Sequence, residues 1–328
     1  MALTTISSSG GPTARAQVEA ALRGERTDVR GRIFEVALLS SLFVSLLILA
    51  ILIFRIIGDG ASVYTDRGVD FLEGRLSSDE TKAGISQGLI GSLWIAVGVV
   101  VISLPLGIAA AIYLEEYAPR NRLTRFIELN IRNLAGVPSV VYGLLGLAIF
   151  VEALNGFSSS EGASRSTLAA AAVTLAVLVL PVVIITTAEA IRAVPSTLRE
   201  GAYGVGATRW EVIRTQVLPY AAPGILTGAL LSIARAVGEA APIIVVGAVT
   251  GLLGGTGGLA PGDVFNPDNL FHRFTAMPVV VTTWAKQPEE AFKIHNAAAA
   301  IIAMMVFIVV INSIAIVLRN RFEKKRSA

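Results

Sequence analysis

Six apolar runs divide the chain, at about 36–54, 88–114, 134–151, 168–187, 220–247 and 297–318, and polar or charged residues bound each one. A helix rises 1.5 Å per residue, so about 20 apolar residues cross the hydrocarbon core of a bilayer. The pattern predicts six transmembrane helices. The third run is interrupted by Gly136, Pro138 and Gly143, and the fourth and fifth carry Pro181, Pro223 and Pro242. Membrane helices tolerate such residues where neighbouring helices satisfy the freed backbone groups. The longest connection, about 248–296, contains the Gly-rich stretch GLLGGTGGLAPGD (251–263). Residues 1–32 are polar, with five arginines and no apolar core like that of a signal peptide, and read as a mostly disordered tail. The remainder, 33–328, reads as one membrane domain with its core at 85–319.

Composition agrees with a polytopic all-α membrane protein. Of 328 residues, 54% are hydrophobic and 16% charged, with a mean hydropathy of +0.69. A soluble domain needs far more charged surface. Cysteine is absent, and only His272 and His295 offer imidazole, so neither a thiolate nor a clustered metal site is expected. A net charge of +3 is too small to suggest nucleic acid. If both ends lie inside, the inner segments hold 18 Lys and Arg and the outer ones 8, with Arg235 left within a span, while acids divide 11 to 12 with Glu239 left over. This is the positive-inside bias, and it predicts a multi-pass cell-membrane protein with both termini cytoplasmic. The Gly-rich stretch is not followed by Lys-Ser or Lys-Thr and cannot form a phosphate-binding P-loop. Any ATP used would be bound by another chain.

The connection PSTLREGAYGVGATRWEVIRTQVLP (195–219) has more structure than a linker needs. Thr197-x-x-Glu200 and Thr208-x-x-Glu211 each have capping-box spacing, Gly204 and Gly206 provide a stop between two helices, and Pro219 marks the turn into the next span. Two readings fit: an interfacial helix pair with Tyr203 and Trp210 among headgroups, or a docking element for a cytoplasmic partner.

EGAYGVG followed by VLP resembles the EAA loop of ABC-importer permeases. Glu200, Ala202, Gly206, Leu218 and Pro219 match in register, whereas Gly201 replaces the usual first Ala and Gln216 the usual Ile. The longer stretch 198–242, ending RAVGEAAP, and FTAMPVVVTTWA (274–285) resemble the A-type subunit of phosphate-specific permeases. The resemblance implies a type I importer fold with a coupling helix at Glu200, Gly201, Ala202, Gly206, Leu218 and Pro219 that lies in a groove of an ATPase subunit. It also implies a C-type permease partner, two ATP-binding subunits, an external phosphate-binding protein, and a chain without covalent chemistry or a cofactor of its own. A permease for another oxyanion, an ATP-independent transporter or channel, and a membrane-embedded enzyme are the rivals.

Arg235 and Glu239 stand four apart in the fifth run, within reach on one helix face. A charge at bilayer depth costs several kcal/mol, so such groups turn toward partners or water. Two roles fit: an ion pair that fixes packing, or a polar site on a substrate path. An arginine fork suits an oxyanion, and a carboxylate beside it can accept from the protonated oxygen of hydrogen phosphate while repelling sulfate. Elsewhere, Glu115, Glu116, Arg120, Arg122 and Arg125 read as a solvated cytoplasmic loop, and 59–80 as a water-facing outer loop. Arg132, Lys324, Lys325 and Arg326 read as membrane-edge groups near anionic lipid, and His272 and His295 as interfacial.

Overall fold

The computed structural model describes residues 29–153, 166–249 and 270–327. Most of the expected tail and the whole Gly-rich stretch 251–263 lie outside these residues. The chain divides into two compact units, Met1–Arg55 and Ile56–Ala328. Twelve α-helices are described: α1 (Val29–Arg67), α2 (Val69–Glu73), α3 (Ser86–Ile112), α4 (Arg122–Ala135), α5 (Ser139–Leu145), α6 (Leu168–Arg192), α7 (Ser196–Gly204), α8 (Arg209–Val212), α9 (Leu218–Gly238), α10 (Ala241–Val246), α11 (Met277–Trp284) and α12 (Ala297–Ser327). Wider π-helical turns follow α3 (Tyr113–Tyr117), α5 (Gly146–Val151) and α8 (Ile213–Val217) and precede α12 (Ala291–Asn296). No strand occurs among the described residues.

Five of these helical stretches are long and apolar enough to cross a membrane, and six if the bent pair Arg122–Ala135 and Ser139–Val151 counts as one. That pair turns through 102°, with the break at Gly136–Pro138. The expected third helix is therefore bent. Proline cannot donate the bond that would continue α4, and it forces the residue before it out of helical geometry. The first helix is longer than the apolar run, 39 residues against the expected 36–54, because no proline intervenes and Gly58 and Gly60 are accommodated within it.

The core of the second unit is a pairing of α3 with α6. Ile95 and Val99 meet Leu175 and Val179, all essentially buried, and α10 adds Ile243 and Val246. Two buried hydroxyls on these helices bond within their own helix: Ser103 Oγ donates to Val99 O and Thr174 Oγ1 to Ala170 O. Such back-bonding satisfies a polar group where water is scarce.

A second cluster lies where an outer loop was expected. Phe71, Trp284 and Phe292 pack ring on ring beside Ala299 and Ala300 of α12. Tyr64 Oη donates to Ala299 O at 2.7 Å, and Arg67 donates to Ala83 O at 2.6 Å. Within 59–80, then, the end of α1 and the short α2 bury the Phe71 ring, while Asp66, Asp70, Glu73, Asp79 and Glu80 stay exposed as expected of a water-facing stretch. The stretch carrying α11 is also drawn inward: Met277 and Val280 are buried, and Met277 N donates to Ser92 Oγ of α3 at 2.9 Å.

Helix α5 lies directly on α10. A Cβ added at Gly143 would come within 2.8 Å of Pro242 Cα and 3.0 Å of Val245 Cβ, and a backbone atom cannot move aside as a flexible side chain can. Gly143→Ala is expected to destabilise the protein by about 1–3 kcal/mol, the usual cost of overpacking, lowering its thermal unfolding midpoint in detergent. Gly58→Ala, where nothing lies within 4 Å, is expected not to lower it. Equal midpoints for the two variants would contradict this packing.

Candidate functional site

The loop between α6 and α9 folds as two short helices around a left-handed turn. Gly206 has φ +87°, a conformation that costs a residue with a Cβ about 1–2 kcal/mol. With it in place, Gly206 N donates to Tyr203 O and Ala207 N to Ala202 O, the paired bonds of a Schellman stop. On the far side, Thr208 caps α8: its hydroxyl accepts from Glu211 N while the Glu211 carboxylate accepts from Thr208 N at 2.7 Å. The second of the two expected capping boxes is therefore present.

The first is not. Helix α7 begins at Ser196 behind Pro195, with no side-chain cap, so Thr197 already lies inside its first turn. The start is held instead by Arg199, whose guanidinium donates to Ile191 O at 2.9 Å, in the last turn of α6, and to Val194 O at 2.8 Å, in the link that follows it. The same guanidinium reaches Glu116 Oε1 at 2.9 Å, and both side chains are largely buried. Beside them Arg192 pairs with Glu115 at 2.6 Å and Glu128 at 3.6 Å. Glu115 and Glu116 are therefore structural ion-pair partners rather than a solvated loop. Arg120, Arg122 and Arg125 do stay exposed, and with Glu115, Glu128 and Arg192 they line an open cavity of about 480 Å³.

Of the expected coupling residues, Glu200, Gly201 and Gly206 are exposed, whereas Ala202 and Leu218 pack against Ile191, Val194, Val212 and Val217. Pro219 is exposed in the first turn of α9, but the chain does not turn there. The π turn before it, with Leu218 N bonded to Ile213 O, lets α8 run on into α9. The tip carries three large apolar side chains into solvent: Val205 at 86% exposure, Trp210 at 54% and Tyr203 at 45%.

Arg235 and Glu239 lie at the other end of α9. Sixteen residues separate Pro219 from Arg235, about 24 Å of helix, so the two groups of site residues are not brought together. Arg235 Nε and Glu239 Oε1 are 3.5 Å apart, with side chains 41% and 23% exposed. The helix does not continue through them as the unbroken run predicts. It ends at Gly238; Glu239 is extended at φ −83° and ψ 113°, and α10 starts at Ala241. Pro242 is the cause: it has no N–H for the Gly238 carbonyl, and its ring collides with that group. The charge pair thus sits at a helix break over which α5 is packed.

No motif marks Arg192 or Arg199, and the charge of Glu115 and Glu116 points to solvent rather than to these partners. A signal was available, since Glu115-Glu116 directly follow one apolar run and Arg192 closely follows another. Charges at the very edge of a span need partners within reach.

Residues 103–328 match the family described as binding-protein-dependent transport system inner membrane component, a stretch that begins within α3 and takes in α6, the loop and the helix break. The chain belongs to this family. Among its relatives, the probable ABC transporter permease protein YqgI of Bacillus subtilis (strain 168) is 32% identical over 241 residues, 72% of this chain and 79% of that one. The phosphate transport system permease protein PstA 1 of Mycobacterium tuberculosis (strain ATCC 25618 / H37Rv) is 32% identical over 248 residues, 76% of this chain and 73% of that one. Among solved structures, a bacterial alginate ABC transporter in complex with an alginate pentasaccharide-bound periplasmic protein contains a chain that superposes with a TM-score of 0.59. It is 14% identical, with 87% of this chain and 93% of that chain covered, and it shows the fold of an ABC-importer membrane subunit. As a member of this family with several membrane-length helices, the chain is a multi-pass inner-membrane permease.

The turn geometry makes a direct prediction. Gly206→Ala forces a Cβ into the left-handed region, whereas Gly204→Ala meets nothing within 4 Å at an ordinary helical position. Limited proteolysis is expected to cut the loop about five- to tenfold faster in Gly206→Ala and no faster in Gly204→Ala, following the added population of the opened loop. Equal cutting rates would contradict the left-handed turn.

Proposed function

We propose that this chain is the A-type transmembrane subunit of an ATP-driven phosphate importer. It forms half of the translocation pore, beside a C-type permease subunit. Two ATP-binding subunits bind on the cytoplasmic side, and an external phosphate-binding protein delivers the ion. Both termini lie in the cytoplasm, with a polar tail over 1–32 and the transmembrane domain over 33–328. ATP belongs to the partner subunits, and this chain holds no cofactor and performs no covalent chemistry. Likeness to phosphate transport permeases over about three-quarters of the chain supports the substrate class.

The observation that carries the reading is the Arg235–Glu239 pair at the break. Arg235 is partly exposed, and its carboxylate partner stands at 3.5 Å, at the outer limit of a hydrogen bond. Such a guanidinium has donors to spare for an oxyanion, which it matches with two parallel bonds. Glu239 keeps the resting path neutral and yields Arg235 when phosphate competes for it. It then accepts from the protonated oxygen of hydrogen phosphate, and sulfate, which has no such proton, meets an unpaired negative charge. At the opposite end of α9, Glu200, Gly201, Ala202, Gly206, Leu218 and Pro219 belong to the surface that follows the ATPase. Closure of the ATPase dimer moves this loop and alternates the access of the path.

ATP-dependent uptake by the assembled complex in proteoliposomes tests the site. Arg235→Lys keeps the charge but loses the planar fork, and uptake is expected to fall about tenfold or more. Glu239→Gln is expected to narrow the preference for phosphate over sulfate. Unchanged uptake in the first variant and unchanged sulfate rejection in the second would remove the pair from the substrate path.

A further inference from the structure

We propose that the π turn Tyr113–Tyr117 is this chain's own receptor for the coupling loop, and that Glu116, Tyr117 and Arg199 are positioning residues that pass the loop's displacement into α3. The proposal rests on the coupling reading above and names the contacts inside the permease through which that movement travels.

Three consecutive side chains of a helical turn point in three directions, and here each finds a different arginine. Glu115 holds Arg192 at the end of α6 at 2.6 Å. Glu116 accepts from Arg199 of α7 at 2.9 and 3.2 Å. The Tyr117 ring lies under the Arg209 guanidinium at the start of α8, 4.9 Å from its centre. Both short helices of the loop are thereby attached to one five-residue segment, which continues directly from α3. The attachment is stiff at its centre. Arg199 spends its fork on Glu116 and on two carbonyls of the α6 end, and Glu116 is only 8% exposed. Parting a buried, hydrogen-bonded charge pair leaves a desolvated charge behind, so the loop and the turn move together rather than separately.

The loop is also joined to the bundle covalently at both ends, from α6 through residues 193–195 and through α8 into α9, and Ala202 packs against Ile191 and Val194. Those links alone would carry a displacement of the loop into α6 and α9 and leave α3 behind. With the π turn engaged, the same displacement reaches α3 through Glu116 and Tyr117, and α6 through Arg199 and Arg192. Helix α3 in turn holds the start of α11 through Ser92. The loop's movement therefore enters the bundle on two sides.

The deciding quantity is phosphate carried per ATP hydrolysed, measured on the full complex in proteoliposomes alongside recovery of the ATPase subunits with the permease. With Glu116→Gln the ATPase is expected to stay bound and hydrolysis to continue. Transport per ATP is expected to fall about tenfold, the order of losing one charge-assisted bond. Tyr117→Leu is expected to lower the ratio in the same sense, whereas Tyr117→Phe keeps the ring under Arg209 and keeps the ratio. The Tyr117 pair decides the matter if Glu116→Gln does not assemble. The proposal is overturned if the ratio is unchanged in the assembled variants, if Leu and Phe behave alike, or if transport and hydrolysis fall in proportion. Failure of the unaltered permease to recover any ATPase would overturn the coupling reading and this proposal with it. Normal recovery with an unresponsive ratio would overturn this proposal alone.

Discussion

The bond set around Arg199 joins the loop to the rest of the fold. One guanidinium binds a carboxylate of the α3 extension, the Ile191 carbonyl in the last turn of α6 and the Val194 carbonyl just beyond it, while its own backbone belongs to α7. Any helix end leaves carbonyls without intrahelical partners, and an end packed against other helices has no ready water for them. Using an arginine there closes α6, starts α7 and neutralises Glu116 together. Removing one partner of such a pair costs about 3–5 kcal/mol because the other is left charged and buried. An apolar replacement of both would fill the volume, but it would not fix the angle at which the loop leaves the bundle.

The second constraint is Pro242. A continuous helix over the fifth apolar run would keep Glu239 helical, one turn beyond Arg235 on the same face. The proline breaks it, Gly238 loses its helical partner, and Glu239 turns extended. The two ionisable groups then lie at the break beside α5, where Gly143 lets the backbones meet. Breaks of this kind are how membrane helices present polar groups to a permeating ion without exposing them to lipid. The intact stretch of α9 separates this break from the loop, and it is a rigid element by which the two can influence one another.

Much of the fold was legible in the sequence because apolar length is a strong signal. The runs at 88–114, 168–187 and 297–318 each fall within a helix, and Gly206 and the Thr208–Glu211 box lie where the spacing put them. What escaped shares a cause: it depends on neighbours distant in the chain. Helix α11 is too short to register as a span, yet it is buried because Ser92 and the Trp284 cluster receive it. The acids of 59–80 are solvated as their charge suggests, but the buried Phe71 ring and the bonds of Arg67 to carbonyl oxygens are not readable from that charge. The Thr197 box lost to Pro195 and Arg199, a competition that spacing alone does not reveal. The Arg235–Glu239 pairing was readable from a four-residue interval, whereas the break beneath it required weighing Pro242 as a helix terminator.

The central claim is that this permease serves phosphate, through a path that includes Arg235. Uptake of labelled phosphate, sulfate and molybdate by cells lacking only this chain, and again after its return, tests it most directly. The account predicts that phosphate uptake alone is lost and then restored. Unchanged phosphate uptake with loss of sulfate or molybdate would contradict it, leaving the family assignment in place and removing phosphate as the ion carried.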